Sequence, residues 1–312
     1  MKFSVVIPLY NKEHYIEATI RSVLSQTCQD FEVLVVDDGS GDNSLALARK
    51  FECDKVRIIP QENQGVSVAR NTGILNAKGE FIAFLDADDE WRPEYLATIN
   101  ELTDKYPESA IFVTAYAVNM GNGKINYSTR LEPETGCLPS YWLTLAKGYD
   151  FVWTSATVIR RDVLIRAGLF KPGEKIGQDL DMWARVARIN PKVAYSNRIG
   201  VNYNRAAEAN ARTRVRVAWA GAFLKDLEEE MINPRRTAEE KASIQHKYDK
   251  KMTVFIFTAI LAGEKERASR ALTEWKGEKN TTNRLLRFGL RIAKLMPNWV
   301  CRIVFKIRMK VF

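Results

Sequence analysis

Four short runs rich in Val, Ile and Phe, at Lys2 to Leu9, Phe31 to Val36, Val56 to Pro60 and Phe81 to Leu85, alternate with segments of helical periodicity. Those helical segments run from about Glu13 to Gln26, from Asp42 or Ser44 to Phe51, and from Gly65 to Lys78. Strands alternating with helices of this length close into a parallel sheet, because a parallel crossover needs a long connection and packs back right-handedly. Ligands of such sheets bind beyond the carboxyl ends of the strands. That rule places Pro8 to Asn11, Asp37 to Ser40 and Asp86 to Asp89 around one crevice.

The fourth run, Phe81-Ile82-Ala83-Phe84-Leu85, ends abruptly in Asp86-Ala87-Asp88-Asp89. A strand buried on both faces avoids charge, so three acids in four positions point to an opening that holds a cation. Mg²⁺ is usually held by one or two carboxylates together with substrate phosphates, which implies an anionic substrate. The competing explanation is a helix cap, since Trp91-Arg92-Pro93 reads as a helix start. One Asp suffices for a cap.

The formal net charge is +9, yet it is not spread evenly. From Asn283 to Phe312 there are eight Lys and Arg (Arg284, Arg287, Arg291, Lys294, Arg302, Lys306, Arg308, Lys310) and no acid. Setting those aside from the 47 Lys and Arg leaves a body that balances its 38 Asp and Glu almost one for one. A nucleic-acid footprint over the body is therefore not expected. The four cysteines are scattered without a C-x-x-C pair, which supports neither a disulfide framework nor a zinc site. No secretory h-region precedes Pro8, and the strongest apolar stretch, Met252 to Ala262, is too short to span a bilayer and suits a helical core. A reduced, cytoplasmic setting is expected.

The stretches VVIPLYNKEHYIEATIRSVLSQT, FEVLVVDDGSGDNS, NQGVSVARNTGILNAKGEFIAFLDADD and GQDLDMWARVAR occur in this order over the first two-thirds of the chain. Together they resemble the family 2 glycosyltransferases. The resemblance implies a GT-A fold, a Rossmann-like mixed α/β sheet flanked by helices, here with a C-terminal helical extension. It also implies an inverting transferase that uses a nucleotide-activated sugar and Mg²⁺ or Mn²⁺.

Carried over residue by residue, the resemblance assigns Asp38 to the nucleotide base, where an acceptor-only carboxylate suits the ring N–H of uracil. Asp37 touches the ribose or holds the turn, the turn being favoured. Pro8, Tyr10 and Asn11 line the nucleotide pocket, although a Pro there also serves as a strand terminator. Asp86, Ala87 and Asp88 form the D-x-D signature facing ribose and diphosphate, with the metal on Asp88 or Asp89. Arg70 and Asn71 contact phosphate or pair with surface acids, and an exposed helical Arg favours the latter. Asp179 matches the catalytic carboxylate, which takes a proton from the acceptor hydroxyl. An Asp at a helix start is also a routine cap. Gln178 stands where the family commonly has Glu. Thr154, Ser155, Gln178 and Trp183 are weaker acceptor-side candidates, Trp183 filling core as the alternative. Asp181 reads as a structural residue of the helix start.

In the second half, Ala110 to Asn119 reads as a strand, Asn119 to Asn126 as a turn into a strand at Tyr127 to Leu131, and Phe151 to Ile159 as a strand past the acceptor site. Gly173 to Gly177 reads as a loop able to close over bound donor. Residues 1–205 form the catalytic domain, with a nucleotide-sugar half at 1–109 and an acceptor half at 110–205. Residues 206–282 form the helical extension, which packs against the catalytic domain or supports a homo-oligomer. It breaks at Asn233-Pro234, with a capping box at Thr237 to Glu240.

In residues 283–312, Arg284, Arg287, Arg291 and Lys294 share one narrow helical face beside a stripe of Leu285, Phe288, Ile292 and Leu295. Trp299, Ile303 and Ile307 repeat the apolar side. A basic amphipathic helix of this kind suits an anionic membrane surface, the alternative being a helix docking its apolar face on the body. The expected setting is thus peripheral, on the inner face of the cytoplasmic membrane, in surface-polysaccharide or lipid-linked oligosaccharide assembly. A nucleotidyltransferase that forms sugar nucleotides is the rival enzyme, but it usually carries a Gly-rich phosphate loop where this chain has Leu9-Tyr10-Asn11-Lys12. A non-catalytic sugar-nucleotide-binding scaffold is the rival outside enzymes.

Overall fold

The first apolar runs become strands buried on both faces, which is why they read as near-continuous Val, Ile and Phe. In a computed structural model of the chain, residues 1–120, 125–128, 130–146, 151–174, 176–205, 221–275 and 281–297 are described. Strand β1 (Phe3–Leu9) lies parallel to β2 (Phe31–Asp38) and to β4 (Phe81–Phe84), while β2 also pairs with β3 (Val56–Gln61). Phe3 stands in register with both Phe31 and Phe81, and Leu9 with Asp37. The carboxyl ends of β1, β2 and β4 therefore emerge side by side.

Helix α1 (Ile16–Leu24) and α2 (Ser44–Arg49) cover one face of these strands, and α3 (Val66–Asn76) covers the other. One apolar cluster joins Ile16, Ile20 and Val23 to the inward residues Val5, Ile7, Val33, Val35 and Ala83. Burying each Val, Ile or Leu contributes on the order of 1.5–3 kcal/mol. On the opposite face a Cβ at Gly73 would lie 2.4 Å from Val6 Cγ1, so only glycine lets α3 approach β1 this closely.

Beyond β4 the sheet becomes mixed. It gains β5 (Glu90–Trp91), β6 (Ile111–Asn119), β7 (Ile125–Tyr127), β8 (Thr135–Leu138), β9 (Thr157–Arg160) and β10 (Val193–Asn204). Among the described residues its ten strands run in the order β3-β2-β1-β4-β9-β6-β10-β5, with β7 on β6 and β8 on β10. Strand β9 is antiparallel to both β4 and β6, whereas β10 runs parallel to β6. Helix α4 (Tyr95–Lys105) packs on β6 and β10, and α5 (Arg161–Arg166) and α6 (Gln178–Ile189) complete this part.

Two expectations are corrected here. The strand expected over Phe151 to Ile159 is only β9, because Trp153 O accepts from Ala156 N and Thr157 Oγ1 and turns Thr154–Ala156 into a 3₁₀ segment. Likewise the strand expected at Tyr127 to Leu131 ends at Tyr127, and residues 121–124 of the turn lie outside the described residues.

The chain divides into two compact units, Met1–Glu174 with Gln178–Glu208, and Ala209–Phe312 with Lys175–Gly177. Among the described residues the second unit is helical: α7 (Gly221–Ile232), α8 (Ala238–Leu261), α9 (Lys265–Glu274) and α10 (Thr281–Lys294). The expected helix ahead of Gly221, at 206–220, lies outside the described residues. Helix α8 opens on the capping box: Glu240 N donates to Thr237 Oγ1 at 3.1 Å, and Thr237 N donates to Glu240 Oε2 at 2.9 Å. Its apolar stretch is core, with Phe255, Ile256, Ala259 and Ile260 buried. No helix among the described residues is long and apolar enough to cross a membrane.

Candidate active site

Where three parallel strands end, their loops are stitched by polar side chains. Asn11, at φ 50°, donates its N–H to Ser40 Oγ and accepts from Gly41 N through Oδ1 at 2.8 Å. Lys12 N donates to Ser44 Oγ, and Asp42 accepts from Ser44 N at 2.9 Å and Glu13 N at 3.2 Å. Burial pushes the Asp42 carboxyl up, but hydrogen bonds from Ser44 and Glu13 outweigh it and hold the group below its ordinary range. The Asn11 side-chain oxygen is therefore engaged by the neighbouring loop. Pro8 lies inside β1, opposite Val36, and does not terminate the strand. Tyr10 is exposed at the strand's end.

Both aspartates that end β2 are buried, facing opposite sides of the sheet. Asp38 clamps the loop entering α3: its carboxylate accepts from Gln61 Nε2 at 2.7 Å, Gln64 N at 2.9 Å and Gly65 N at 2.8 Å. Gly65 meets it at φ +91°, a conformation side chains rarely adopt. The carboxylate expected to meet the base is thus held in place by the loop that enters α3, with two donors on Oδ1 and one on Oδ2. Asp37 accepts from Ser40 N through Oδ2, the turn role, while its buried Oδ1 has no partner among the described residues.

The Asp86 to Asp89 turn resolves into three different carboxylates. Asp86, 32% exposed, accepts from Arg70 Nη2 at 2.7 Å. Arg70 is only 3% exposed, which overturns the surface reading of this arginine. Its guanidinium lies 5.4 Å from the Phe170 ring centre, and Nε and Nη1 have no partner among the described residues. Asn71 instead exchanges two 2.8 Å hydrogen bonds with the Phe170 backbone, so its expected phosphate contact is replaced by a structural one.

Asp88, 13% exposed, pairs with Lys12 Nζ at 2.5 Å. Burial pushes its carboxyl up, the Lys12 ammonium pulls it down and Asp86 adds to the rise, leaving it above the ordinary range. Ala87 is buried, and Thr19 Oγ1 on α1 holds the turn by donating to the carbonyls of Ala87 and Asp89.

Asp89 does not face outward. Its oxygens accept from Ser155 Oγ at 2.6 Å and Asn204 N at 2.9 Å, and the residue is fully buried. Burial first, then Asp88 and Asp86, push its carboxyl well above the ordinary range. The expectation of Asp89 as a metal ligand is corrected accordingly: it is a structural acid of the interior.

Asp179 sits in the first turn of α6, accepting from Leu180 N at 2.9 Å and from Thr154 Oγ1 at 3.2 Å. Its neighbour in this bonding, Thr154, precedes Ser155, which holds Asp89 and accepts from Asp86 N at 3.2 Å. Two consecutive hydroxyls thus tie Asp179 to the acidic turn. Thr154 and Ser155 are buried with their hydroxyls on Asp179, Asp89 and Asp86 N, which corrects the expectation that they face an acceptor. Trp183 is also corrected to core: it is buried against Phe84 and Phe170 at ring-centre distances of 5.5 and 5.9 Å. Gln178 Oε1 is buried without a partner among the described residues. Asp181 is a buried clamp between Lys171 at 2.6 Å and Arg185 at 2.7 Å.

The donor set at the turn suits a hard cation. The Asp86 and Asp88 side chains are 32% and 13% exposed, and a hard divalent ion held by one or two carboxylates takes its remaining ligands from substrate phosphates and water. Lys12 is the residue that sequence reading missed. Three clustered acids call for compensating cations, but nothing in the sequence points across 76 positions to this one.

A parallel half with carboxylates and cations at its strand ends, continued by a mixed half that brings in Asp179, is a GT-A architecture. The chain belongs to glycosyl transferase family 2, whose sequence model matches residues 4–168. It is 36% identical over 168 residues to an uncharacterized glycosyltransferase of Nostoc sp., a match covering 53% of this chain and 52% of that protein. Over 89 residues it is 45% identical to a UDP-Glc:alpha-D-GlcNAc-diphosphoundecaprenol beta-1,3-glucosyltransferase of Escherichia coli, covering 28% of this chain and 35% of that one. The matches span about half or less of these relatives' lengths. The fold is similar to S. aureus TarS 1–349 in complex with UDP-GlcNAc, with TM-score 0.66 and 20% identity over 93% of this chain and 79% of that one. It is also similar to the mannosyltransferase PcManGT of Pyrobaculum calidifontis in complex with GDP-Man and Mn²⁺, with TM-score 0.60 and 17% identity over 99% and 86% of the two chains.

Proposed function

We propose that this chain is an inverting glycosyltransferase that moves a sugar from a nucleoside-diphosphate donor, a UDP-sugar, to a hydroxyl of a glycan or lipid-linked acceptor. The observation that carries the reading is the Thr154-Ser155 tie, which holds Asp179 and the Asp86 to Asp89 turn in one frame. A base and a diphosphate-binding group must be fixed relative to each other for in-line displacement.

In this reading the acceptor oxygen attacks the anomeric carbon from the face opposite the diphosphate. Its proton passes to Asp179, kept oriented by Thr154, and the departing nucleoside diphosphate takes the electron pair of the broken bond. Arg70, with two buried donors unpartnered among the described residues, and Lys12 are the cations available to the diphosphate. Asp88, with Asp86 beside it, would hold Mg²⁺ or Mn²⁺, which when bound neutralises charge on the leaving group. For the base, Asp38 and the Asp37 Oδ1, which has no partner among the described residues, are the acceptors that suit a ring N–H.

UDP in the reaction named for the E. coli relative and in the TarS complex supports a UDP-sugar, and Mn²⁺ in the PcManGT complex supports the cation. The diphosphoundecaprenol acceptor in the relative's name supports a lipid-linked acceptor, and the acid-free basic segment from Asn283 onward supports a setting at the inner face of the cytoplasmic membrane, in surface-polysaccharide synthesis. The test is Asp179→Asn: turnover falls about 10²–10⁴-fold while donor affinity stays within about twofold. Equal loss of donor binding would assign Asp179 to structure.

A further inference from the structure

An amphipathic helix on a soluble protein ordinarily buries its apolar stripe and shows water its charges. The last described helix, α10 (Thr281–Lys294), departs from that rule by exposing apolar side chains together with arginines. It is fastened to its own unit through basic side chains: Arg287 lies 4.4 Å over the Trp275 ring and donates to Trp275 O at 2.7 Å, and Lys294 Nζ donates to Ser269 Oγ at 2.5 Å. Leu290 is buried on that side. Phe288, Ile292 and Leu295, spaced as one helical stripe, are 62%, 48% and 81% exposed.

Beside that stripe Arg284 and Arg291 are exposed, and with Arg287 and Phe288 they line a recess of about 360 Å³. Two exposed guanidiniums, Arg284 and Arg291, flank this open recess, and no acid follows from Asn283 onward, a charge pattern that suits clustered phosphates. An apolar ridge next to a phosphate-binding row fits the boundary between headgroups and acyl chains.

We propose that the outward face of α10 docks on an anionic phospholipid bilayer, with lipid phosphates at Arg284 and Arg291 and with Phe288, Ile292 and Leu295 in the acyl boundary. Charge complementarity selects this occupant, because Arg302, Lys306, Arg308 and Lys310, outside the described residues, extend the same acid-free sequence. The proposal deepens the membrane placement above and does not depend on the transfer chemistry.

The experiment is co-sedimentation of the full chain with vesicles of phosphatidylcholine alone or mixed equally with phosphatidylglycerol, across a salt series. Binding should require the anionic lipid and weaken with salt. Arg284→Gln and Arg291→Gln should each lower partitioning about fivefold, and F288S/I292S by more than about tenfold. Circular dichroism and thermal stabilisation by UDP in vesicle-free solution should stay unchanged in all variants. Equal binding to neutral vesicles, or variants that partition like the parent, would overturn the proposal. So would equal retention on DNA at matched salt, or a dimer that F288S/I292S converts to monomer, which would assign the face to another occupant. Loss of UDP stabilisation in the parent chain would count against the transferase reading alone.

Discussion

The acidic turn at Asp86 to Asp89 and the basic helix α10 treat charge in opposite ways. In the turn, each carboxylate is answered from within the protein: Arg70 pairs with Asp86, Lys12 with Asp88, and Ser155 with the backbone of Asn204 satisfies Asp89. On α10 the arginines are either exposed or bonded to a ring and a carbonyl, and no acid accompanies them in sequence. A low-dielectric interior forces charge to be paired, whereas a solvated surface tolerates an excess of one sign. In the proposed reading the cations of the first region are shared with donor phosphates, and the surplus of the second meets an external anionic surface.

The comparison breaks most visibly at adjacent aspartates. Asp88→Asn should lower Mn²⁺-dependent donor affinity by more than about 100-fold, and Asp89→Asn by less than about tenfold, measured by titration calorimetry. The reverse order would return the metal to Asp89. Ser155→Ala sharpens the same contrast, because it leaves a buried carboxyl oxygen and the Asp86 N–H without their partner. Denaturant unfolding of this variant should show a loss of about 1–3 kcal/mol.

The smallest effect is expected at Asp42. Its folded carboxyl lies below the ordinary range, so the stability it contributes is present above the unfolded carboxylate value of about 3.9. That contribution disappears as pH falls through the lower folded value. Asp42→Asn should flatten stability against pH in that acid window and leave it parallel to the parent near neutrality. An unchanged acid limb would show that the loops at the ends of β1 and β2 do not depend on this carboxylate.

The parallel half was legible because burial on both faces writes itself into uninterrupted runs such as Phe3 to Leu9 and Phe31 to Val36. The insertion of antiparallel β9 between β4 and β6 was not, since strand order depends on long-range pairing that periodicity does not encode. At the site, the strand-end carboxylates were readable as a group, but their individual partners were not. Asp38 is claimed by backbone N–H groups of Gln64 and Gly65, and Asp89 by that of Asn204, none of which leaves a mark in sequence. Trp183 illustrates the same limit: a tryptophan beside a catalytic motif looks the same whether it faces a ligand or Phe84.

Incubating the full chain with a UDP-sugar, Mn²⁺ and a lipid-linked glycan acceptor, then following both products by NMR, tests the reaction most directly. The account predicts free UDP and a new glycosidic bond of inverted anomeric configuration, both lost in Asp179→Asn. Pyrophosphate among the products, or a retained anomer, would contradict it.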